Sequence, residues 1–237
     1  MSAFIFDLDD TLYDPLEPFK KAYQKHLTML HPVVAVEDFY KVSRAYSDAL
    51  FEAQQNGEIP IEEVRRIRIQ SAAKDFGFHL SAELADAFQT TYAKGQGELV
   101  LLPGYETFFK ECQSKNIFLG VITNGPGDLQ RKKLASLSLE RYIPSTHWLI
   151  SGEVGLMKPQ REIFAYYYQQ HQAALTDKKI YYIGDSFEND VVGANRMHWQ
   201  ALWLNHRKRQ PITTDESLSY KEFTTLDSLL TYCKNQA

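Results

Sequence analysis

The chain has 237 residues, of which 44% are hydrophobic and 24% charged, so it can build a packed core and lacks the composition of a disordered protein. A net charge of -4 gives no electrostatic reason to expect a nucleic acid polymer or an anionic membrane as a partner, and no apolar stretch approaches the roughly 18 residues of a membrane span. The two cysteines have no metal-binding or redox spacing. We therefore expect a cytoplasmic protein. For its assembly, the expectation is a monomer or a homodimer.

A cluster of carboxylates follows the first apolar run of the chain. Residues 3–6 have the composition of a buried strand, and Asp7, Asp9 and Asp10 come directly after it, before Thr11. Because side chains alternate along a strand, Asp7 and Asp9 are expected to point to the same side. Two carboxylates there are costly unless a positive group lies near them, so the sequence predicts such a group at this strand end.

The segment 15–97 interrupts the strand pattern, because it is helical throughout and contains no strand candidate. Apolar side chains recur at helical spacing in 39–50 and again in 61–76. Ser81 is a typical N-cap for a further helix. The predicted domains are an all-helical insertion at 15–97 and an α/β core formed by 1–14 and 98–237.

The rest of the chain alternates strands with helices, which predicts an α/β fold. This order implies a Rossmann-like, doubly wound parallel sheet with right-handed crossovers. The apolar runs are short, and several end in polar or glycine-rich turns, as buried parallel strands do. The predicted strands are 3–6, 117–123, 148–150, 180–184 and 201–204, and the predicted helices between the later ones are 105–116, 128–139, 160–172 and 188–197.

Polar side chains follow the first four predicted strands, and ligands of open α/β sheets bind beyond the carboxyl ends of the strands. Thr123 and Asn124 lie in TNG after the second strand, Lys158 in GLMKP after the third, and Asp185 and Asp190 in GDSFEND after the fourth. Carboxylates are hard oxygen ligands suited to Mg²⁺, which would also offset the clustered negative charge. Each motif alone is a common turn or helix-cap signal, but their order predicts an anion site beside a metal site.

Taken as a set, the four motifs DLDDT, TNG, KP and GDSFEND resemble those of the haloacid dehalogenase superfamily, in order and at suitable spacing. The resemblance covers 1–14 and about 98–237, and the helical insertion is similar to the small helical cap of that superfamily. Within the superfamily, the chain is most similar to the nucleotidase-like and phosphoglycolate-phosphatase-like hydrolases. The resemblance implies a phosphomonoester hydrolase.

The resemblance also implies roles for individual side chains. Asp7 is the expected nucleophile, which would form an aspartyl-phosphate, and Asp9 is the expected general acid and base. Thr123 and Asn124 are expected to hold the phosphoryl oxygens, and Lys158 to pair with both the nucleophile and the phosphate. We expect burial and nearby negative charge to raise the pKa of Asp9, which would suit an acid.

For the metal, the resemblance implies Mg²⁺ bound by Asp7, the backbone carbonyl of Asp9 and Asp185. Asp190 lies five residues beyond Asp185, where some relatives have four, so we treat it as an optional ligand or as a residue behind the ligands. Asp10 and Asp14 receive no role in catalysis. The basic run 206–209 is short and is expected to be a solvated loop.

The substrate is left open by the resemblance. A nucleoside 5′-monophosphate is implied by the nucleotidase-like branch, with a sugar-phosphate phosphatase or a phosphomutase as alternatives. A 2-haloacid dehalogenase is disfavoured, because dehalogenases of the superfamily lack an acid at the position of Asp9. A non-catalytic binding module is disfavoured because every motif position is chemically intact.

Overall fold

The computed structural model describes residues 1–28, 34–211, 213 and 215–237, with only the backbone of Gln55. The chain forms two compact units, Met1–Asp14 with Val100–Ala237, and Pro15–Leu99. The boundary expected after residue 97 lies two residues before the one in the structure. In the described part of the chain, no helix is both long and apolar enough to cross a membrane.

The Pro15–Leu99 unit consists of helices around a hydrophobic core of its own. The ring of Phe19 lies at the centre of that core, with ring centroids 4.9 Å from Phe88 and 5.0 Å from Tyr40. The hydroxyl of Ser81 accepts a hydrogen bond from the backbone N–H of Leu84 at 3.2 Å, which confirms the predicted N-cap. The helices are α1 Leu16–His26, α2 Val36–Ala49, α3 Phe51–Gln55, α4 Ile61–Asp75 and α5 Ala82–Gly95.

The other unit is built on a parallel sheet of six strands: β1 Ser2–Phe6, β2 Phe118–Thr123, β3 Trp148–Ile150, β4 Lys179–Gly184, β5 Gln200–Leu204 and β6 Tyr220–Phe223. Their order is β3-β2-β1-β4-β5-β6, and every neighbouring pair is parallel. The predicted doubly wound α/β sheet is therefore confirmed. Only β6 has no counterpart among the predicted strands, because its residues, YKEF, are mostly exposed at the sheet edge and form no apolar run.

Successive side chains of a strand point to opposite faces of the sheet, so both faces carry buried side chains. Ala3 and Ile5 face one side and join a large buried cluster there. Phe4 and Phe6 face the other side and contact the ring of Phe108. The helices of this unit are α6 Tyr105–Ser114, α7 Gly127–Ser136, α8 Ser151–Val154, α9 Arg161–Gln170, α10 Gln172–Leu175, α11 Gly193–Asn195 and α12 Leu226–Gln236, with 3-10 turns at Leu139–Arg141 and Ser145–His147.

The predicted helix 188–197 is not a regular α-helix. A π-helical turn occupies Phe187–Val192, and only α11 follows it. The wider turn accompanies the inward position of Asp190, whose carboxylate lies against the backbone of Gly184: a Cβ atom at Gly184 would be 2.2 Å from the Asp190 Cγ. The spacing of side chains around Asp190, a residue of the candidate site, therefore differs from that of the predicted α-helix.

The strand order reverses between β1 and β4, because the chain runs from β1 towards β2 and β3 on one side and from β4 towards β5 and β6 on the other. In doubly wound sheets this switch point forms a crevice at the carboxyl ends of the strands. Asp7 follows β1 and Asp185 follows β4, so both carboxylates lie at the switch point.

Candidate active site

Asp7 and Lys158 form a buried ion pair at the switch point. The backbone N–H of Asp7 donates to the carbonyl of Ile183 at 2.8 Å, which extends the β1–β4 pairing to the carboxylate. Lys158 Nζ lies 2.6 Å from Asp7 Oδ1 and 2.7 Å from Asp190 Oδ1, and it also donates to the Tyr182 hydroxyl at 3.1 Å. The lysine is the positive group expected at this strand end, and its ammonium serves two carboxylates at once.

One ammonium does not compensate all the negative charge around Asp7. Burial raises the pKa of the Asp7 carboxyl to about 7, because the opposing charge of Lys158 is offset by Asp190 and Asp9. Asp185 is affected in the same way: burial raises its pKa well above the usual range, and Asp10 raises it further. A bound divalent cation would favour the ionised form of both carboxylates.

Three carboxylates at the switch point could hold such a cation. Asp7, Asp185 and Asp190 each offer an oxygen atom, and these atoms all lie within 4.8 Å of one another. All three residues are buried, and oxygen donors of this kind suit Mg²⁺. The donor set therefore fits the metal that the sequence predicts.

Asp190 is already engaged by protein donors on both of its oxygen atoms. Lys158 Nζ donates to Oδ1, and the backbone N–H of Ser186 donates to Oδ2 at 2.9 Å. The π-helical turn directs this carboxylate to the sheet edge across the five-residue spacing from Asp185. Its geometry fits a ligand and also fits a residue that orients Lys158, the two roles left open by the sequence.

Asp9 is paired with a second lysine that sequence reasoning did not find. Lys133 Nζ lies 2.7 and 2.9 Å from the two carboxylate oxygens of Asp9. Gln130 Nε2 donates to Oδ2 at 2.9 Å, and the Tyr13 hydroxyl donates to Oδ1. Asp7 and Asp9 therefore each contact a different buried lysine, which places positive charge beside both carboxylates at this strand end.

The expected rise in the pKa of Asp9 is wrong. Burial alone would raise it, but the charge and hydrogen bonds of Lys133, together with the hydrogen bonds from Tyr13 and Gln130, lower the pKa of Asp9 below its ordinary value. The expectation failed because Lys133 is 124 positions away in the sequence and could not be placed from the spacing of the motifs.

The signal for Lys133 and Gln130 lies in helix α7. This helix begins two residues after the TNG turn, and both side chains are buried although both are polar. They are three positions apart, so they lie on the same face of the helix. The three-residue spacing of Gln130 and Lys133 is visible in the sequence, but their burial beside Asp9 is known only from the structure.

Thr123 and Asn124 lie beside this arrangement. Gln130 Nε2 donates to Thr123 Oγ1 at 2.6 Å, so the threonine is linked through Gln130 to Asp9. The amide of Asn124 makes two hydrogen bonds to the backbone of Lys158, both at 2.9 Å, which join the second and third motif loops. Residue 125, in the turn after Asn124, has a φ of 143°, a backbone conformation that glycine adopts without strain and other residues rarely adopt.

The basic run 206–209 is a loop with Lys208 and Arg209 exposed, as expected, but its two arginines contact carboxylates at the sheet edge, which was not expected. Arg207 donates to both carboxylate oxygens of Asp10 at 2.6 Å and to Asp14 at 2.6 Å. Arg209 bridges Asp10 at 3.1 Å and Asp185 at 2.6 Å. The contacts were not anticipated because Asp10 and Asp14 lie more than 190 positions earlier in the chain and Asp185 follows a different strand.

Replacing Asp10 by asparagine is expected to destabilise the fold by about 2 kcal/mol at neutral pH, because Arg207 and Arg209 would lose a nearly buried carboxylate partner. Asparagine tolerates the φ of 62° at this position, so the backbone is not strained. Urea unfolding measures the difference, with exposed Asp128→Asn as the matched control.

The pH dependence follows from the sign of the pKa shift. Burial would raise the pKa of Asp10, but hydrogen bonds from His206 and Arg207 and the charge of Arg207 lower it well below its ordinary value. The stabilisation is therefore complete above the unfolded pKa, about 3.9, and is lost only as the pH falls further. Equal unfolding free energies of Asp10→Asn and Asp128→Asn at pH 7 would contradict this account.

The comparisons with known proteins agree with the geometry. A family model for haloacid dehalogenase-like hydrolases matches residues 4–204. The chain is 28% identical over 232 residues to pyrimidine 5′-nucleotidase YjjG of Escherichia coli strain K12, covering 97% of each chain. It is also 28% identical over 242 residues to a phosphoserine phosphatase of Thermus thermophilus, covering 88% of this chain and 90% of that protein.

A solved structure shows the same fold. The HAD-hydrolase YfnB of Bacillus subtilis, in a crystal form bound to magnesium, superposes with a TM-score of 0.68 at 22% identity and covers 98% of both chains. With a family match over most of the chain, the superfamily resemblance seen in the four motifs is confirmed. The chain belongs to the haloacid dehalogenase-like hydrolases.

Proposed function

We propose that the chain is a Mg²⁺-dependent phosphomonoester hydrolase that works through an aspartyl-phosphate on Asp7. The observation that carries the proposal is the pair of carboxylates, Asp7 and Asp9, which contact two different buried lysines at the switch point of the sheet. A nucleophile and a separate acid–base group are what hydrolysis of an ester through a covalent intermediate requires. The two phosphatase relatives support the same reaction class.

In the first half-reaction, a carboxylate oxygen of Asp7 attacks phosphorus, and the bond from phosphorus to the ester oxygen breaks. The leaving oxygen takes a proton from Asp9. Lys158 limits the repulsion between the anionic nucleophile and the phosphate. The hydroxyl of Thr123 and the turn at Asn124 are proposed to hold the phosphoryl oxygens.

In the second half-reaction, water attacks the phosphorus of the aspartyl-phosphate, and Asp9 accepts its proton. Inorganic phosphate leaves and the carboxylate of Asp7 is restored. The lowered pKa of Asp9 suits this step, because the group is an ionised base in the free protein. For the first step Asp9 must hold a proton, and the dianionic phosphate of an arriving substrate favours its uptake by raising the pKa of a nearby carboxyl.

Mg²⁺ is proposed to bind Asp7, Asp185 and the backbone carbonyl of Asp9, with Asp190 as an optional ligand. When bound, the metal would supply positive charge that stabilises the phosphoryl group during transfer. We expect Mg²⁺ to activate and Mn²⁺ to substitute for it. Ca²⁺ is expected to inhibit, because its larger coordination shell would take a second oxygen of the nucleophile. Phosphate release after exhaustive chelation, with and without each added cation, measures this, and full activity after chelation would contradict it.

For the substrate, we propose a nucleoside 5′-monophosphate, which is supported by the nucleotidase relative and by the resemblance to that branch. A sugar-phosphate phosphatase or a phosphomutase is the alternative, since both would use the same core residues. A 2-haloacid dehalogenase is disfavoured by Asp9 and its dedicated set of hydrogen-bond donors, because halide needs no proton on leaving.

A screen of phosphorylated metabolites in the presence of Mg²⁺ tests the proposed substrate. Nucleoside 5′-monophosphates are expected to show the highest kcat/KM. If sugar phosphates exceed every nucleotide by about tenfold, equivalent to about 1.4 kcal/mol, the nucleotidase proposal is wrong and the phosphatase proposal stands. Conversion of a sugar phosphate to its isomer without phosphate release would identify a mutase.

A further inference from the structure

Lys133 and Gln130 hold the carboxylate of Asp9 from one face of helix α7. Lys133 Nζ donates to both carboxylate oxygens, at 2.7 and 2.9 Å, and Gln130 Nε2 donates to one of them at 2.9 Å. The side chain of Lys133 is only 7% exposed. Together with the Tyr13 hydroxyl, these donors engage both oxygens of Asp9, so the direction of its carboxylate is set by the protein.

Stability alone is a poor reason for this arrangement. Placing an ammonium on the buried face of a helix is costly, and apolar residues of similar volume often stabilise such positions equally well or better. The neighbouring buried residue of α7, Leu134, shows that the same helix also packs with apolar side chains. The lysine and glutamine are thus better explained by the group that they contact.

Gln130 joins two parts of the proposed machinery. Its Nε2 lies 2.6 Å from Thr123 Oγ1 and 3.1 Å from the carbonyl of Asn124, in addition to its contact with Asp9. One amide therefore ties the proposed acid–base group to the proposed phosphoryl-binding turn. A change in the position of Gln130 would alter the distance between them.

We infer that Lys133 and Gln130 are positioning residues that align the Asp9 carboxylate with the water of the second half-reaction. This inference rests on the proposed function. In that step a water oxygen forms a bond to phosphorus, the bond from phosphorus to the Asp7 oxygen breaks, and the water proton passes to Asp9. Lys133 and Gln130 keep their own protons and act only through the direction of the carboxylate.

Lys133→Met tests this alignment in the full-length protein. With an aryl phosphate and Mg²⁺, the aryl leaving group needs no proton, so the phosphoenzyme is expected to form at close to the parent rate. Its decay is expected to slow by about 10- to 10²-fold, because a misdirected base no longer meets the water. Rapid quench followed by intact-mass measurement gives both rates, and the added phosphoryl group should accumulate in Lys133→Met.

Lys132→Met is the matched control, because it removes the same charge from the adjacent, exposed residue of the same helix. It should behave like the parent. Gln130→Met is a second variant that keeps Lys133 and the length of the side chain, and it should also slow decay more than formation. It supplies the test if Lys133→Met does not fold.

Two results with Lys133→Met would overturn the inference. One is an unchanged decay rate of the phosphoenzyme. The other is formation and decay slowed to the same extent without accumulation, which is the result expected of a purely structural residue. Failure of both variants to fold would likewise assign the two residues to stability. These results are distinct from failure of the proposed function, which would appear as the absence of any phosphoenzyme in the parent and in Asp9→Asn. Accumulation in both variants, with a parent-like Lys132→Met, supports the inference.

Discussion

Asp7→Asn is expected to have no measurable phosphatase turnover, because a carboxamide cannot replace the carboxylate that attacks phosphorus. Removing a nucleophile can lower kcat by roughly 10⁶-fold, which would bring the rate to the background of the assay. Phosphate release from an aryl phosphate in the presence of Mg²⁺ measures the effect. An Asp7→Asn variant that turns over at a rate comparable with the parent would remove Asp7 from the mechanism.

The loss should not come from unfolding. Burial raises the pKa of Asp7 to about 7, so its destabilising effect on the folded state grows as the pH rises above the unfolded pKa, about 3.9, and is complete above about 7; neutral asparagine removes this penalty. Lys158 also keeps Asp190 as a partner in the variant. The Tm of Asp7→Asn at pH 8 is therefore expected to equal or exceed that of the parent. Asp128→Asn, an exposed change of the same kind, should retain both activity and Tm.

Asp9→Asn is expected to slow the hydrolysis of alkyl phosphates by at least ~10²-fold, the usual contribution of general acid–base catalysis. Phosphoenzyme formation from an aryl phosphate should be affected much less, because an aryl oxide leaves without a proton. The kinetic test compares formation rates for the two leaving groups in the parent and in the variant. Equal slowing of both would contradict the role of Asp9 as the acid.

Asp9→Asn should also reduce stability, in contrast with Asp7→Asn. Lys133 would lose its carboxylate partner, which we expect to cost about 1–3 kcal/mol. The figure is smaller than for a fully buried pair, because the Asp9 side chain is 24% exposed. Urea unfolding of the variant beside the parent gives this difference, and it must be known before the rates are compared.

The fold and the central residues of the site were predictable because their signals are local. Short apolar runs that end in Asp7, Thr123 and Asp185 show both that a strand is buried and where it ends. In a parallel sheet the carboxyl ends meet at one edge, so the adjacency of these side chains follows from the strand order. The alternation of strands and helices was likewise sufficient to predict a parallel sheet of the α/β class.

What could not be predicted depends on contacts between distant parts of the chain. The partner of Arg207 is Asp10, 197 positions away, and a short basic run carries no sign of such a contact. Strand β6 has little apolar character and exists through its pairing with β5 at the sheet edge. The π-helical turn at Phe187–Val192 accompanies the inward position of Asp190, and the spacing of apolar residues in the sequence does not indicate it.

The pKa of Asp9 shows the same limit in the chemistry of the site. Burial and nearby negative charge could both be anticipated from the motif, and both would raise the pKa. The lowering comes from Lys133 and its neighbouring hydrogen-bond donors, whose position is known only once α7 is placed against the end of β1. The direction of the pKa shift of Asp9 therefore depends on side chains that the motifs do not contain.

The most direct test of the account is the location of the phosphoryl group in the trapped intermediate. Asp9→Asn is mixed with an aryl phosphate and Mg²⁺, its intact mass is measured, and peptide mapping locates the modification. The account predicts one added phosphoryl group, on Asp7, and none on Asp7→Asn treated in the same way. A phosphoryl group on any other residue, or labelling of Asp7→Asn, would contradict the assignment of Asp7 as the nucleophile.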